Sequence, residues 1–448
     1  MRTDPKKTTL TDRGASRPAL IVAALCASYA VAFVDRALVG VAGGPIKSSL
    51  ALSDSQFGLV HGAAFVALYC LCGIPMGWMA DRLDRRLMIA AGLLFWSAMT
   101  AFCGMAGSFA AFFVFRIGVG LGEAVLVPAG MSLLSSAITR EKMARSVAIF
   151  LMGATIGNAI ALLGGGFLLN RLGPMDLGIP LVGHLAPWQM LFLIASVPGV
   201  VLALLVARIR EPRRTNIVGG RTGFRQSVSA ALLHIRGFKG AYGFLTAATA
   251  CSIILSQAQA AWVPLLYVRK FGLSPGDSAI AVGIMFLISA PAGQWTGGVL
   301  IDRLLARGVA APSNVVLAVC AVVAIPAAFL FCLSDQIGIS RSAYVVFNYV
   351  VFAATPAGLT GWQLLTPERN SGMTIAILVS VVTLIGVGFG PVVVGWLNDY
   401  VFRDEAALGK SLFLVILVSG AACCGVALAG RRAYAKAIGE RVCSHGLS

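Results

Sequence analysis

The chain carries twelve apolar runs, each long enough to cross the roughly 30 Å of a bilayer's hydrocarbon as a helix rising about 1.5 Å per residue. They fall near residues 19–42, 56–80, 87–107, 109–138, 146–169, 188–207, 241–268, 278–301, 313–333, 342–366, 371–397 and 410–430. The runs are continuous rather than alternating, and far longer than barrel strands of about ten residues. The pattern therefore predicts an all-α membrane protein with twelve transmembrane helices. A chain that is 58% hydrophobic and 12% charged has no soluble globular counterpart.

A net charge of +17 in a soluble protein would point to nucleic acid. Its distribution gives a different reading. With the N-terminus in the cytoplasm, most of the 35 Lys and Arg residues fall on loops and tails of that same side. This is the positive-inside pattern, and it places both termini in the cytoplasm, most naturally at a bacterial inner membrane. Membrane lipids are the expected partners of this basic surface, and no nucleic-acid role is expected. All but Cys443 of the ten cysteines sit in apolar runs, where thiols act as small hydrophobes. No cofactor or metal is expected, since paired C-x-x-C spacing, a phosphate-cradling loop and a Ser/His/Asp constellation are all missing from the sequence. An enzyme is not indicated.

Charges inside the apolar runs are concentrated in the first half. Phe115 to Ala124 places Arg116 and Glu123 seven residues apart, so both leave one helix on the same face. An unpaired charge in mid-bilayer costs from about 3 to more than 10 kcal/mol, so that face looks into a cavity or at a partner. Asp35 and Arg36 lie in the first run and point about 100° apart, so each requires its own partner. That run is expected to break at Gly43-Gly44-Pro45. Ser53 and Gln56 have capping-box spacing at the start of the second helix. His61 has two readings, a hydrogen-bonded interfacial residue or a titrating group, and the first is preferred. The last six runs hold no Asp, Glu, Lys, Arg or His in their apolar cores, but offer Gln257, Gln259, Trp262 and Asn348 among their polar and aromatic groups.

Gly77-Trp-Met-Ala-Asp81-Arg82-Leu-Asp84-Arg85-Arg86 follows the second run, and Arg116-x-x-x-Gly120-x-Gly122 lies in the fourth. Both resemble signatures of the major facilitator superfamily, with Asp84 where that family more often has Gly. Gly298-x-x-x-Asp302-Arg303 echoes Gly77-x-x-x-Asp81-Arg82, and Thr366-Pro-Glu368 echoes Thr139-Arg-Glu141, at similar offsets. This indicates two repeated halves. The expected organisation is a cytoplasmic tail (1–18), a six-helix bundle (19–207), a basic linker (208–239) with a short surface helix, a second bundle (240–430) and a cytoplasmic tail (431–448). A monomer is the default for this architecture.

Within the superfamily, Phe33-Val-Asp35-Arg36, Gly120-Leu-Gly-Glu123-Ala-x-x-x-Pro128-Ala and Pro187-Trp-Gln-x-Leu-Phe-Leu resemble the spinster-like branch. The resemblance implies a proton-coupled carrier of lysolipid- or sphingolipid-like substrates working by alternating access. The same residues also resemble the anion:cation symporter branch, which implies organic-anion/proton symport. A multidrug exporter is a third reading, less favoured because helix five lacks the Gly-Pro pair of many drug antiporters. The resemblance places helices one, four, seven and ten around the central cavity. Asp35, Glu123 and Arg116 are the candidates for proton coupling. Arg36, Tyr29, Gln257, Gln259, Trp262 and Asn348 are the candidates for substrate binding. The other reading of Arg116 and Glu123 is a fixed buried ion pair that only holds helices together. Gly77, Asp81, Arg82, Arg85 and Arg86, with Asp302 and Arg303, are read as a conformational latch.

Overall fold

A computed structural model describes residues 18–80, 82–173, 178–179, 183–209, 224–366 and 371–445. Twelve of its helices are long and apolar enough to span a membrane, and they are numbered here in chain order. The first half holds α1 (Pro18–Val41), α2 (Asp54–Ala80), α3 (Arg85–Gly104), α4 (Phe109–Ala137), α5 (Arg145–Leu172) and α6 (Pro187–Arg208). The second holds α7 (Lys239–Phe271), α8 (Pro275–Ala306), α9 (Pro312–Leu333), α10 (Ile337–Leu365), α11 (Gly372–Phe402) and α12 (Glu405–Glu440). The chain is a multi-pass integral membrane protein. Its helices alternate between a terminal face, where α1 begins, and a far face, where α1 ends.

Local chemistry explains the helix ends. Ser53 and Gln56 form the expected capping box at α2, with Ser53 N donating to Gln56 Oε1 at 3.0 Å and Gln56 N to Ser53 Oγ at 3.2 Å. Asp84, the departure from the family signature, caps α3 by accepting from Leu87 N. Ser108 and Ser274 do the same for α4 and α8. Proline occupies the first turn of α6, α8 and α9, where its missing N–H has no partner to lose. α7 stops at Gly272, whose φ of +67° suits glycine.

The expected break at Gly43-Gly44-Pro45 is found one residue earlier, at Ala42. The chain turns at Ala42 and resumes as a helix from Gly43 to Leu50. Pro45 falls in that helix's first turn, a position that needs no N–H donor. A break also occurs in α4, directly after Glu123 at Ala124–Val125. Pro128 cannot donate to the Ala124 carbonyl, so the ladder loosens there. α2, α5 and the end of α11 each contain a π-helical turn, at Leu59–Ala63, Ile160–Gly165 and Leu397–Phe402. A two-residue antiparallel ladder, Gly178–Ile179 with Gly183–His184, sits between α5 and α6. The linker contains the helix Phe224–Gly237. α12 continues helically past residue 430, to His445.

Within the first half α1 packs on α5 and α3 on α6, and within the second α7 packs on α12 and α8 and α9 on α10. The peripheral helices α6, α9 and α12 expose Leu204, Val319, Val322 and Val418, as lipid contact requires. Small residues bring backbones together where the site is built. A Cβ on Gly120 would run into the carbonyl oxygen of Phe65, so α4 and α2 touch backbone to backbone there. We expect Gly120→Ala to destabilise the protein by about 1–3 kcal/mol, the range for overpacking. Thermal unfolding in detergent would show this, beside Gly243→Ala, which meets nothing within 4 Å and should be neutral.

Candidate functional site

The charged groups of the first half converge where α1, α3 and α4 meet, and their pairing differs from the simplest sequence reading. Arg36 reaches Glu123, with Nη2 at 2.6 Å and Nε at 2.7 Å from Oε2. The Arg36 side chain is 22% exposed and that of Glu123 is fully buried. Three rings surround the guanidinium: Phe33, Phe65 and Tyr69 have centroids 4.7, 4.4 and 4.9 Å from its carbon. Tyr29 stands edge-on to Phe33 and lies tilted against Phe150, with centroids at 4.9 and 4.8 Å. Tyr29, Arg36, Tyr69 and Glu123 thus line one patch, the first three partly exposed. Tyr69 was not among the sequence candidates. Its signal was available, since aromatic residues at 65 and 69 share one helix face.

Asp35 points elsewhere, as its neighbour's 100° offset requires. Thr100 of α3 donates its hydroxyl to Asp35 Oδ2 at 3.1 Å, and both residues are buried. Arg116, also buried, donates through Nη1 to the backbone carbonyl of Asp35 at 3.5 Å. The fixed Arg116–Glu123 ion pair is therefore not what the structure contains: Glu123 is bound to Arg36. Asp35 Oδ1, Arg116 Nε and Glu123 Oε1 are buried without a hydrogen-bond partner among the described residues. His61 is buried in the π-helical turn of α2, close to Gly40 of α1, and its Nδ1 likewise has no such partner. The interfacial, hydrogen-bonded reading of His61 is corrected accordingly. A histidine ring enclosed by α1 and α2 is not at the surface.

The second-half candidates are placed differently from one another. Gln259 Nε2 donates to Asn348 Oδ1 at 3.2 Å, Asn348 Nδ2 to Ser289 Oγ at 2.7 Å, and Tyr344 OH to Gln259 Oε1 at 2.5 Å. All four residues are buried, so this chain ties α7, α8 and α10 together. Trp262 is buried too, donating from Nε1 to the Pro391 carbonyl at 3.0 Å and standing edge-on to Phe57. The expectation that Gln259, Trp262 and Asn348 offer their polar groups to a substrate is corrected: those atoms are engaged in helix packing. Gln257 is partly exposed. It lies one turn from Ala261, on the face by which α7 meets Gly40 of α1.

At the terminal face, Arg85 is buried and donates to Ser132 O at 2.8 Å and Ser136 Oγ at 2.7 Å, fastening α3 to α4. Arg86 pairs with Asp84 at 3.0 Å and donates to Ile209 O at 2.9 Å, fastening α3 to the end of α6. Arg82 lies over the Trp78 ring, and Gly77 packs near Pro128. These contacts all stay within the first half. Asp302 and Arg303 are exposed. Asp81 lies outside the described residues.

The halves are joined instead at the far face, through residues that the sequence reading treated as loop or cap. The Asp54 carboxylate accepts from Lys47, from Arg269 in a two-pronged contact at 2.8 and 2.8 Å, and from Asn398 Nδ2 at 2.5 Å. Glu405 accepts from Arg269 at 3.0 Å and from Lys47 at 3.4 Å. Asp399 takes the backbone N–H groups of Asp54 and Ser55 at 3.1 and 2.7 Å, so a carboxylate from α11 satisfies the orphan donors of α2. Below this cluster α2 and α11 meet at Gly58, Gly62 and Gly395, where added Cβ atoms would strike the opposing backbone. Asn170 and Asp277 join α5 to α8 on the same face, at 2.8 Å.

Two six-helix halves, closed on each other at one face, with a buried charge cluster in one half, is an architecture with known relatives. The family model described as Major Facilitator Superfamily matches residues 25–391, most of the chain. The chain belongs to the Major Facilitator Superfamily. This superfamily member is therefore a transporter and not an enzyme. It is 26% identical over 398 residues to an MFS-type efflux pump of Mycolicibacterium smegmatis, covering 86% of each chain. It is 26% identical to a probable L-galactonate transporter of Escherichia coli, covering 84% of this chain and 82% of that one. It resembles the crystal structure of a bacterial homologue of the lysosomal transporter Spinster in an inward-facing, unoccupied conformation, with a TM-score of 0.77 and 25% identity over 94% of this chain and 97% of that one. The family and the spinster-like resemblance read from the motifs are thus found.

Proposed function

We propose that this superfamily member is a proton-coupled secondary transporter of an amphipathic organic anion, working by alternating access. The observation that carries the reading is the Arg36–Glu123 pair inside its aromatic surround. Protonation of Glu123 removes the charge that holds Arg36. The freed guanidinium, a planar five-donor group, then takes the carboxylate or phosphate of the substrate. Proton and anion therefore bind together, and either alone leaves a charge uncompensated in a dry site. Tyr29, Tyr69 and Gln257 border the bound molecule. Asp35 is the second proton site, with Arg116 setting the local potential.

Positive-inside topology supports a cytoplasmic terminal face and a bacterial inner membrane. On that reading, the Asp54 cluster closes the outer gate, and the conformation described is open toward the cytoplasm. Gly77, Asp81, Arg82, Arg85 and Arg86, with Asp302 and Arg303, then serve as the latch of the opposite, cytoplasm-closed state. Such state-specific pairs are what bias a two-state switch.

Likeness to a probable L-galactonate transporter supports a sugar acid as the anion, and the spinster-like motifs support a lysolipid, so these are the two anion classes to compare. Counterflow in proteoliposomes, with each class as labelled tracer, tests the reading. Arg36→Ala should abolish exchange of whichever class is carried. Exchange of a labelled anion that persists in Arg36→Ala would remove Arg36 from the binding site.

A further inference from the structure

Thr100 is a group for which the transport cycle as described has no use. It lies on α3, a helix away from the coupling residues of α1 and α4, and it is buried. Its hydroxyl donates to Asp35 Oδ2 at 3.1 Å, while Arg116 contacts only the backbone carbonyl of Asp35. Asp35 Oδ1 has no hydrogen-bond partner among the described residues. The charged groups that reach Asp35 are Arg36 on its own helix and Arg116 and Glu123 on α4, with the Cys103 thiol one turn along α3 from Thr100 and His61 of α2 beside Arg116. α5 and α6 meet α1 through Gly157 and Gly199, which bring no charge.

We infer that Thr100 is a positioning residue that pins one oxygen of Asp35, so that Oδ1 is the atom through which this second proton site takes and releases its proton. The inference rests on the proton-coupling reading of Asp35. Its physical basis is separate from it. A hydroxyl that donates to a carboxylate stabilises the charged form and fixes the plane of the group. When Oδ1 is protonated, Oδ2 becomes the carbonyl oxygen of the acid and can still accept from the same hydroxyl, so Thr100 stays paired through both halves of a proton cycle. Arg116 cannot substitute, because its nearest donor faces the peptide carbonyl.

Thr100→Val removes the hydroxyl and keeps the shape, while Thr100→Ser keeps the hydroxyl. The test reads two things in purified, reconstituted protein. One is the pH profile of anion uptake. The other is the infrared carboxylic C=O band of Asp35, identified by its loss in Asp35→Asn. Losing a donor to the charged form should move both midpoints to higher pH by about one unit, a tenfold change in proton affinity. Thr100→Ser should stay at the wild-type midpoint, and thermal unfolding should show all three proteins folded. An Asp35 band that titrates identically in wild type and Thr100→Val would overturn the inference. A shifted band without any substrate-linked proton movement would uphold Thr100 as the positioning residue and sink the coupling reading instead. No titrating Asp35 band in the wild type would overturn both.

Discussion

Glu123→Gln should leave passive exchange of the substrate running while abolishing its accumulation against a gradient driven by protons. The amide keeps an acceptor for Arg36 but cannot take up a proton. The substrate site is therefore always in its anion-accepting form, and the link between the two movements is gone. Removing one charge of a buried pair also costs stability, about 3–5 kcal/mol in comparable cases, and the retained amide acceptor puts this variant at the lower end. The pair qualifies because Glu123 is fully buried. Accumulation and counterflow measured on the same proteoliposomes separate the two effects. Unaltered accumulation in Glu123→Gln would show that the Arg36–Glu123 contact is structural.

The second large effect is expected at the far face. Asp54 is the common acceptor for Lys47, Arg269 and Asn398, donors from the α1–α2 connection, α7 and α11. Asp54→Ala would leave Lys47 and Arg269 facing each other with Glu405, largely exposed, as their shared counter-charge. Hydrogen bonds to charged groups contribute about 1.5–3 kcal/mol each. Weakening two of them should shift the equilibrium toward a far-face-open state by roughly a hundredfold, since 1.4 kcal/mol is tenfold. Spin labels at the exposed positions Ser48 and Gln336 report this directly by pulsed distance measurement. The wild type should give one short distance, and Asp54→Ala a dominant longer one. An unchanged distribution would mean that the glycine contacts at Gly58, Gly62 and Gly395 close that face unaided.

These two sites were legible in the sequence to different degrees, and the reasons are physical. The helices were readable because a bilayer demands length and hydrophobicity in every span, and because caps such as Ser53–Gln56 are local. The divergence of Asp35 and Arg36 was readable from helix geometry: one binds Thr100 and the other Glu123. The partner of Glu123 was not. Arg116 and Glu123 share a face, but seven residues at about 1.5 Å each separate them by roughly 10 Å along the helix. That gap is filled by Arg36 from another helix, which spacing alone does not reveal. The engaged state of Gln259 and Asn348 was hidden for the same reason, since their partners Tyr344 and Ser289 come from other turns or helices. The far-face cluster was the largest omission. Asp54 reads locally as part of a helix start, and its partners other than Lys47 lie hundreds of positions away in the chain. What signal existed was scarcity: charges are few on that face, so those present have a task.

The central claim is that substrate and proton move together. The most direct test is proton flux into wild-type proteoliposomes loaded with a pH-sensitive dye, when a gradient of the carried anion is imposed without any initial pH difference. Coupled transport predicts a substrate-dependent change of internal pH that saturates with anion concentration and vanishes in Glu123→Gln. Saturable anion movement with no accompanying change in internal pH would contradict the account, and would make the buried charges of α1 and α4 binding residues of an uncoupled carrier.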